Sequence, residues 1–195
     1  MADRPLYPTN PGYVIGFHGT DSESAKDLVE KGALFRMSAG PKEWLGSGIY
    51  FWQNDPVRAL DWAVKMKKTN PTVIGAVIDL GFSLYLLEMR WMDFVREAHK
   101  SYQETTKAAK VSLLTNAGYN QRYLDCAVMQ VAQQRAKDRY DRQFDTIVGP
   151  FTQGALLYET AMLCSFDHMQ ICVVNQNCIK GCFYERSIDP QMPVL

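Results

Sequence analysis

The 195-residue chain is long enough for one domain, or for one domain carrying a large insertion. Its composition, 47% hydrophobic and 22% charged, is that of a globular protein with a substantial core. The 21 basic residues balance the 21 acidic ones, so no net field draws the chain toward nucleic acid or an anionic membrane, although a local basic stripe stays compatible with the totals.

Met1–Pro11 is polar and proline-rich without an apolar stretch, and reads as an extended lead-in rather than a targeting segment. Tyr13–Phe17 is rich in β-formers and predicts a strand ending at His18-Gly19-Thr20. Asp21 or Ser22 caps a helix to about Lys31, with Ala25, Leu28 and Val29 on one face and Gly32 as its stop. A loop containing Gly40 and Pro41 leads to a second strand over Gly48–Trp52. Asp55-Pro56 starts a helix running to about Lys68, and Asn70-Pro71 breaks it before a strand over Thr72–Leu80. From about 88 to 142 the spacing turns helical, with helices expected over Met89–Thr105, around Ala108–Leu114 and over Tyr123–Arg139. Phe144–Val148 returns to β character. Gly149–Asp167 reads as a long loop of the kind that is usually functional, and Met169–Val174 and Ile179–Tyr184 as closing strands.

Strands at both ends with helices between them predict an α+β fold in a single domain, with the helical block as an insertion. No stretch approaches the roughly eighteen apolar residues of a membrane span. Five cysteines, an odd number without zinc-site spacing, predict reduced thiols in a cytoplasmic protein without a metal. Neither G-x-G-x-x-G nor GK[ST] occurs, so a nucleotide would have to be held in some other way.

Three pieces stand out: Phe17-His18-Gly19-Thr20, Trp44-Leu45-Gly46-Ser47-Gly48-Ile49-Tyr50-Phe51, and Ser165-Phe166-Asp167-His168-Met169-Gln170-Ile171-Cys172-Val173. Read alone, His18 is a structural histidine at a strand end, Tyr50 a core tyrosine and Gln170 a solvated strand-entry residue. Glycines beside His18 and before Tyr50 add that backbone amides can approach a flat ligand closely. In this order and spacing, the pieces resemble the diphtheria-toxin-like and poly(ADP-ribose) polymerase-like branch of the ADP-ribosyltransferases, over Tyr13–Ala63 and again over Phe144–Tyr184.

That resemblance implies a split sheet gripping NAD⁺ as co-substrate and a His-Tyr-Glu triad. His18 would bond an adenosine ribose hydroxyl, Gly19 would offer its backbone to the nicotinamide carboxamide, and Tyr50 would stack on the nicotinamide ring, with Thr20 and Gly48 beside them. Arg36 or Lys42, on the loop over the dinucleotide, would meet the pyrophosphate. The loop after Gly149 would face the acceptor, with Gln153 and Glu159 as its candidates. The departure is Gln170, where polymerases carry glutamate. A carboxylate there stabilises the positive charge that develops on the ribose, whereas an amide supplies only a dipole. The expected activity is therefore mono-ADP-ribosyl transfer to a macromolecule, protein or RNA/DNA, with Glu159 or Asp167 as carboxylates that could assist. Small members of this kind are often intracellular toxins or anti-phage elements with an antitoxin partner. An NAD⁺ glycohydrolase and a catalytically inactive binding module are the alternatives. Arg122, Arg135, Lys137, Arg139 and Arg142 form a basic cluster able to track a nucleic-acid backbone, or simply a solvated helix end.

Overall fold

A computed structural model describes residues 12–118 and 121–186; the expected lead-in at Met1–Pro11 lies outside them. Among the described residues the fold is α+β: seven strands in one sheet, ordered β4-β5-β6-β2-β1-β3-β7, and four α-helices. The strands are β1 (Tyr13–Asp21), β2 (Ile49–Gln53), β3 (Pro71–Asp79), β4 (Ser83–Tyr85), β5 (Thr146–Phe151), β6 (His168–Val173) and β7 (Ile179–Tyr184). The helices are α1 (Ser22–Glu30), α2 (Pro56–Lys65), α3 (Met89–Ala108) and α4 (Tyr123–Tyr140). All strand pairs are antiparallel except β4 with β5.

Local chemistry sets the helix starts. Asp21 caps α1 by accepting from Ser24 N–H at 2.8 Å, and Asp55 caps α2 by accepting from Arg58 N–H at 3.0 Å, with Pro56 in the first turn. Gly32, at φ +64°, ends the first helical region.

The expected helix around Ala108–Leu114 does not form. Lys110 turns to φ +55°, and Val111, Leu113 and Leu114 lie exposed, so their apolar spacing has no surface to pack on. β5 extends to Phe151, and the loop after it is shorter than Gly149–Asp167 suggested. Gly149 sits inside the strand under the Trp44 ring, where a Cβ would come within 2.9 Å of that ring and 2.8 Å of Leu86.

The core lies on both faces of the sheet. On one face α3 and α4 pack Trp91, Phe94, Val128, Met129 and Ala132 against Phe82, Leu84, Phe144, Ile147 and Cys172. The same face carries α2 at the far end, over Phe17, Trp52 and Val73. The opposite face buries Ile49, Phe51, Ile74, Ile78, Val148, Ile171 and Val173 beneath α1 and Phe35.

The sheet is split. β1 pairs with β3 along nine residues, from Tyr13↔Asp79 to Asp21↔Pro71, but meets β2 only at Gly16↔Gln53 and Phe17↔Trp52. Beyond Phe17 no pairing joins the two strands, and the opening there is lined by residues of α1, of α2 and of the segment from Ala33 to Ala39.

Candidate functional site

The divergence of β1 from β2 opens a cleft of about 1110 Å³. His18, Thr20, Arg36, Gly48, Tyr50, Gln153 and Gln170 all line it, and so does Lys42. Among the described residues none of Gly19, Glu159 or Asp167 is in that lining.

His18 stands where the strands part. Its Nδ1 lies 2.8 Å from the Tyr50 carbonyl oxygen, so Nδ1–H donates and Nε2 keeps its lone pair. Phe35 meets the ring edge-on at 5.5 Å and Phe51 lies at 5.6 Å. Burial lowers the imidazole pKa below its usual 6.5, with the Lys68 charge adding to the effect. The residue is a neutral, oriented hydrogen-bond acceptor.

Gly19 is glycine for a packing reason. A Cβ there would stand 2.1 Å from the Ala59 carbonyl oxygen of α2. Its backbone has a second role. Ile15 O accepts from Asn54 N–H at 3.1 Å, so the odd residues of β1 aim their polar groups toward β2. Proline opposite Asp21, which cannot donate to β1, fits the same alternation. Two residues beyond Phe17, the same alternation turns the Gly19 N–H and C=O toward the side where pairing with β2 has ended.

Tyr50 is fixed by its hydroxyl, which donates to Gly46 O at 2.8 Å and accepts from Leu45 N–H at 3.1 Å. Burial pushes its pKa far up, so it works as a clamped aromatic ring rather than a proton donor. Gly48 precedes it because a side chain would collide with Cys172 Sγ at 2.4 Å.

Gln170 lies opposite Trp52 on β2 and Gly149 on β5. Its Oε1 is 2.6 Å from Trp44 Nε1. Indole N–H only donates, which fixes the amide orientation: the carbonyl is engaged and the NH₂ group is left for the cleft. Trp44 is itself held between Gly149 and the Arg122 guanidinium, 5.3 Å above its ring.

The remaining wall combines aromatic rings and cations. Trp52 and Trp62 sit 5.9 Å apart, with His168 6.2 Å from Trp52. Arg58 pairs with buried Asp61, donates to Gln153 Oε1 at 3.0 Å and stacks 4.5 Å over Phe166. Six cationic side chains line the cleft (Arg36, Lys42, Arg58, Lys65, Lys68, Arg122) against four acidic ones, so a neutral chain has a positive cleft. The four carboxylates hold partners: Asp21 with Ser24, Asp27 with Lys31, Glu43 with Ser38, and Asp61 with Arg58 and Lys65.

Several expected roles do not fit these positions. Glu159 is exposed on the loop and outside the cleft lining. Asp167 accepts from Gln153 N–H at 3.1 Å and Cys164 N–H at 2.8 Å, so its carboxylate is spent closing that loop. Neither is placed to serve as the missing carboxylate. The basic cluster is largely neutralised: Arg122 pairs with Asp125, Arg135 with Glu97, Lys137 with Asp141 and Arg142 with Asp145, while Arg139 lies over Tyr140. The lining also takes in Trp44, Trp52, Trp62 and His168, to which the sequence assigned no role. Trp52, two residues from Tyr50 and so on its face of the strand, was the one with a readable signal.

No group of three or more His, Cys, Asp or Glu able to hold a metal occurs among the described residues, and none of their helices is long and apolar enough to cross a membrane. No family model matches the chain. An uncharacterized protein of Methanocaldococcus jannaschii is 29% identical over 84 residues, 43% of this chain; the match covers 38% of that protein's length. Among solved structures, an anti-CRISPR protein aligns over 92% of this chain and 98% of its own, at 11% identity and a TM-score of 0.38. A score that low carries no argument about fold or activity.

Proposed function

We propose that the chain is a mono-ADP-ribosyltransferase with an ADP-ribosyltransferase-like split sheet, cleaving the nicotinamide–ribose bond of NAD⁺ and passing ADP-ribose to a macromolecule. The observation that carries this reading is the parting of β1 and β2 at His18. There a neutral imidazole and the clamped Tyr50 ring both line the cleft, with the Gly19 backbone edge adjoining it.

In this reading His18 Nε2 accepts from a ribose hydroxyl, the Gly19 edge pairs with the carboxamide, and the Tyr50 ring stacks on nicotinamide. Arg36 and Lys42, on the exposed segment over the cleft, face the pyrophosphate. The bond from ribose C1′ to nicotinamide nitrogen breaks with its electron pair leaving on nicotinamide. An acceptor nucleophile then bonds C1′ and loses its proton to solvent.

One observation favours a second reading, a module that binds NAD⁺ without cleaving it. The Gln170 group left for the cleft is a donor NH₂, and a donor does nothing to stabilise a developing cation. Incubating the protein with NAD⁺ separates the readings. Nicotinamide release with ADP-ribose left on a macromolecule supports the transferase, release into water alone a glycohydrolase, and tight binding without release the module.

A further inference from the structure

Between α1 and β2 the residues from Ala33 to Ala39 form neither helix nor strand, yet all of them line the cleft. Phe35 is the one buried residue among them, while Leu34 is 81% exposed and Arg36 and Met37 are exposed too. A stretch that buries one side chain is not held by its own packing, and hydrogen bonds must tie it down.

Two ties do so. Ser38 N–H donates to Gly48 O at 2.8 Å, and Gly48 N–H donates to Ser38 O at 2.9 Å. The second tie is a side chain. Gln176 Oε1 accepts from Phe35 N–H at 3.0 Å, and Gln176 Nε2–H donates to Phe35 O at 3.1 Å. One carboxamide thus takes both polar groups of one residue, as a neighbouring strand would, across 141 positions of sequence.

Gln176 stands on a firm mount. It opens the 3-10 turn Gln176–Cys178, which Asn175 caps by accepting from Asn177 N–H at 3.2 Å. Asn175 is fixed in turn: its Nδ2–H donates to Asp145 Oδ1 at 2.9 Å and its backbone N–H to Asp145 O at 3.0 Å. Cys178 is buried in the same core cluster as Phe35.

What the grip holds is the Phe35 ring, which meets His18 edge-on at 5.5 Å and Phe51 at 5.4 Å. With Phe35 tied on one side and Ser38 on the other, the two residues between them, Arg36 and Met37, are kept over the cleft. Gln176 is itself outside the lining, so its effect on the site runs through Phe35.

We infer that Gln176 is a positioning residue for NAD⁺: by gripping the Phe35 backbone it sets the ring against His18 and keeps Arg36 where the pyrophosphate lies. The inference rests on the NAD⁺-cleaving reading and deepens it. His18 and Arg36 are assigned there to the adenosine ribose and the pyrophosphate, which keep their structure when the nicotinamide–ribose bond breaks. Contacts with an unchanging part of the substrate stabilise ground and transition states alike, so losing them raises KM and leaves kcat in place. A segment set in place beforehand also spares the ligand the cost of ordering it.

The test uses two variants. Gln176→Met keeps the length of the side chain without its hydrogen bonds, and Gln176→Asn keeps the carboxamide but one methylene too short to take both groups. KM and kcat for nicotinamide release and the Kd for NAD⁺ by calorimetry are measured for each and for wild type. Thermal melts show which variants are folded at the assay temperature, and either one, folded, decides. The expected result is KM and Kd raised at least about fivefold with kcat within about twofold. KM and Kd within about twofold of wild type overturn the inference. So does a fall in kcat with KM unchanged, which puts the effect at the reacting centre. Wild type that binds NAD⁺ without releasing nicotinamide overturns the cleavage reading alone, and the Kd ratio then decides on Gln176. Wild type that does not bind NAD⁺ overturns both.

Discussion

Gln170→Glu is the substitution with the largest expected gain. In the present geometry Trp44 N–H occupies Gln170 Oε1 at 2.6 Å, and the NH₂ group is turned to the cleft. A glutamate keeps the indole bond with one oxygen and presents the other where a donor stood. A carboxylate about 4 Å from a full positive charge gains about 4 kcal/mol at an effective dielectric of about 20. Only part of a unit charge develops in the transition state, and the cleft is open to water, so about 1–2 kcal/mol is expected. That is roughly a 5- to 30-fold rise in nicotinamide release. The assay is initial-rate nicotinamide release at saturating NAD⁺, with thermal melting to show that the fold is kept. Gln170→Ala leaves the Trp44 N–H without this acceptor and frees a ring that lines the cleft, so turnover should fall. Changes below about twofold in both variants, the size of ordinary surface effects, would show that this position lies away from the reacting centre.

Three further outcomes are expected. Tyr50→Phe strands Leu45 N–H, leaves Gly46 O only the weak Cys172 thiol donor, and should cost about 1–3 kcal/mol of stability, read as a lower melting temperature, while Tyr50→Ala adds a cavity and costs more; equal, negligible shifts would refute the clamp. Gly19→Ala should destabilise by several kcal/mol through the Ala59 carbonyl even without NAD⁺, and an unchanged melt would contradict that packing role. His18 and His168 both have pKa values lowered by burial, so the unfolded chain binds more protons than the folded one below the usual 6.5. Stability should therefore be complete above about pH 6.5 and fall as pH drops from there toward the depressed folded values. Melts across that range should show the fall, and His168→Gln should reduce its slope; greater stability in acid would contradict the sign.

The parts of the fold that were legible carry local signals. Asp21 and Asp55-Pro56 name their helices through caps, and Tyr13–Phe17 and Thr72–Leu80 name theirs through β-rich composition. β4 was not legible, because three residues, Ser83–Tyr85, become a strand only by pairing with β5 some sixty positions later. The Ala108–Leu114 expectation failed because apolar spacing says nothing about whether a partner surface exists. At the site, flanking glycines marked the segments of His18 and Tyr50, both of which line the cleft, while the roles expected of them come from the resemblance alone. The Trp44–Gln170 bond, 126 residues apart, could not. The pairing within α4 could have been: Arg122 with Asp125 and Lys137 with Asp141 sit at helical spacing and cancel the cluster that looked basic in composition.

The central claim is that the split at His18 holds NAD⁺ for cleavage. Incubating the purified protein with NAD⁺ labelled in its nicotinamide ring, alongside His18→Ala, tests it most directly. The account predicts free nicotinamide from wild type and a loss of at least tenfold in His18→Ala, with its melting temperature preserved. Equal release from both proteins, or neither release nor binding by wild type, would contradict it.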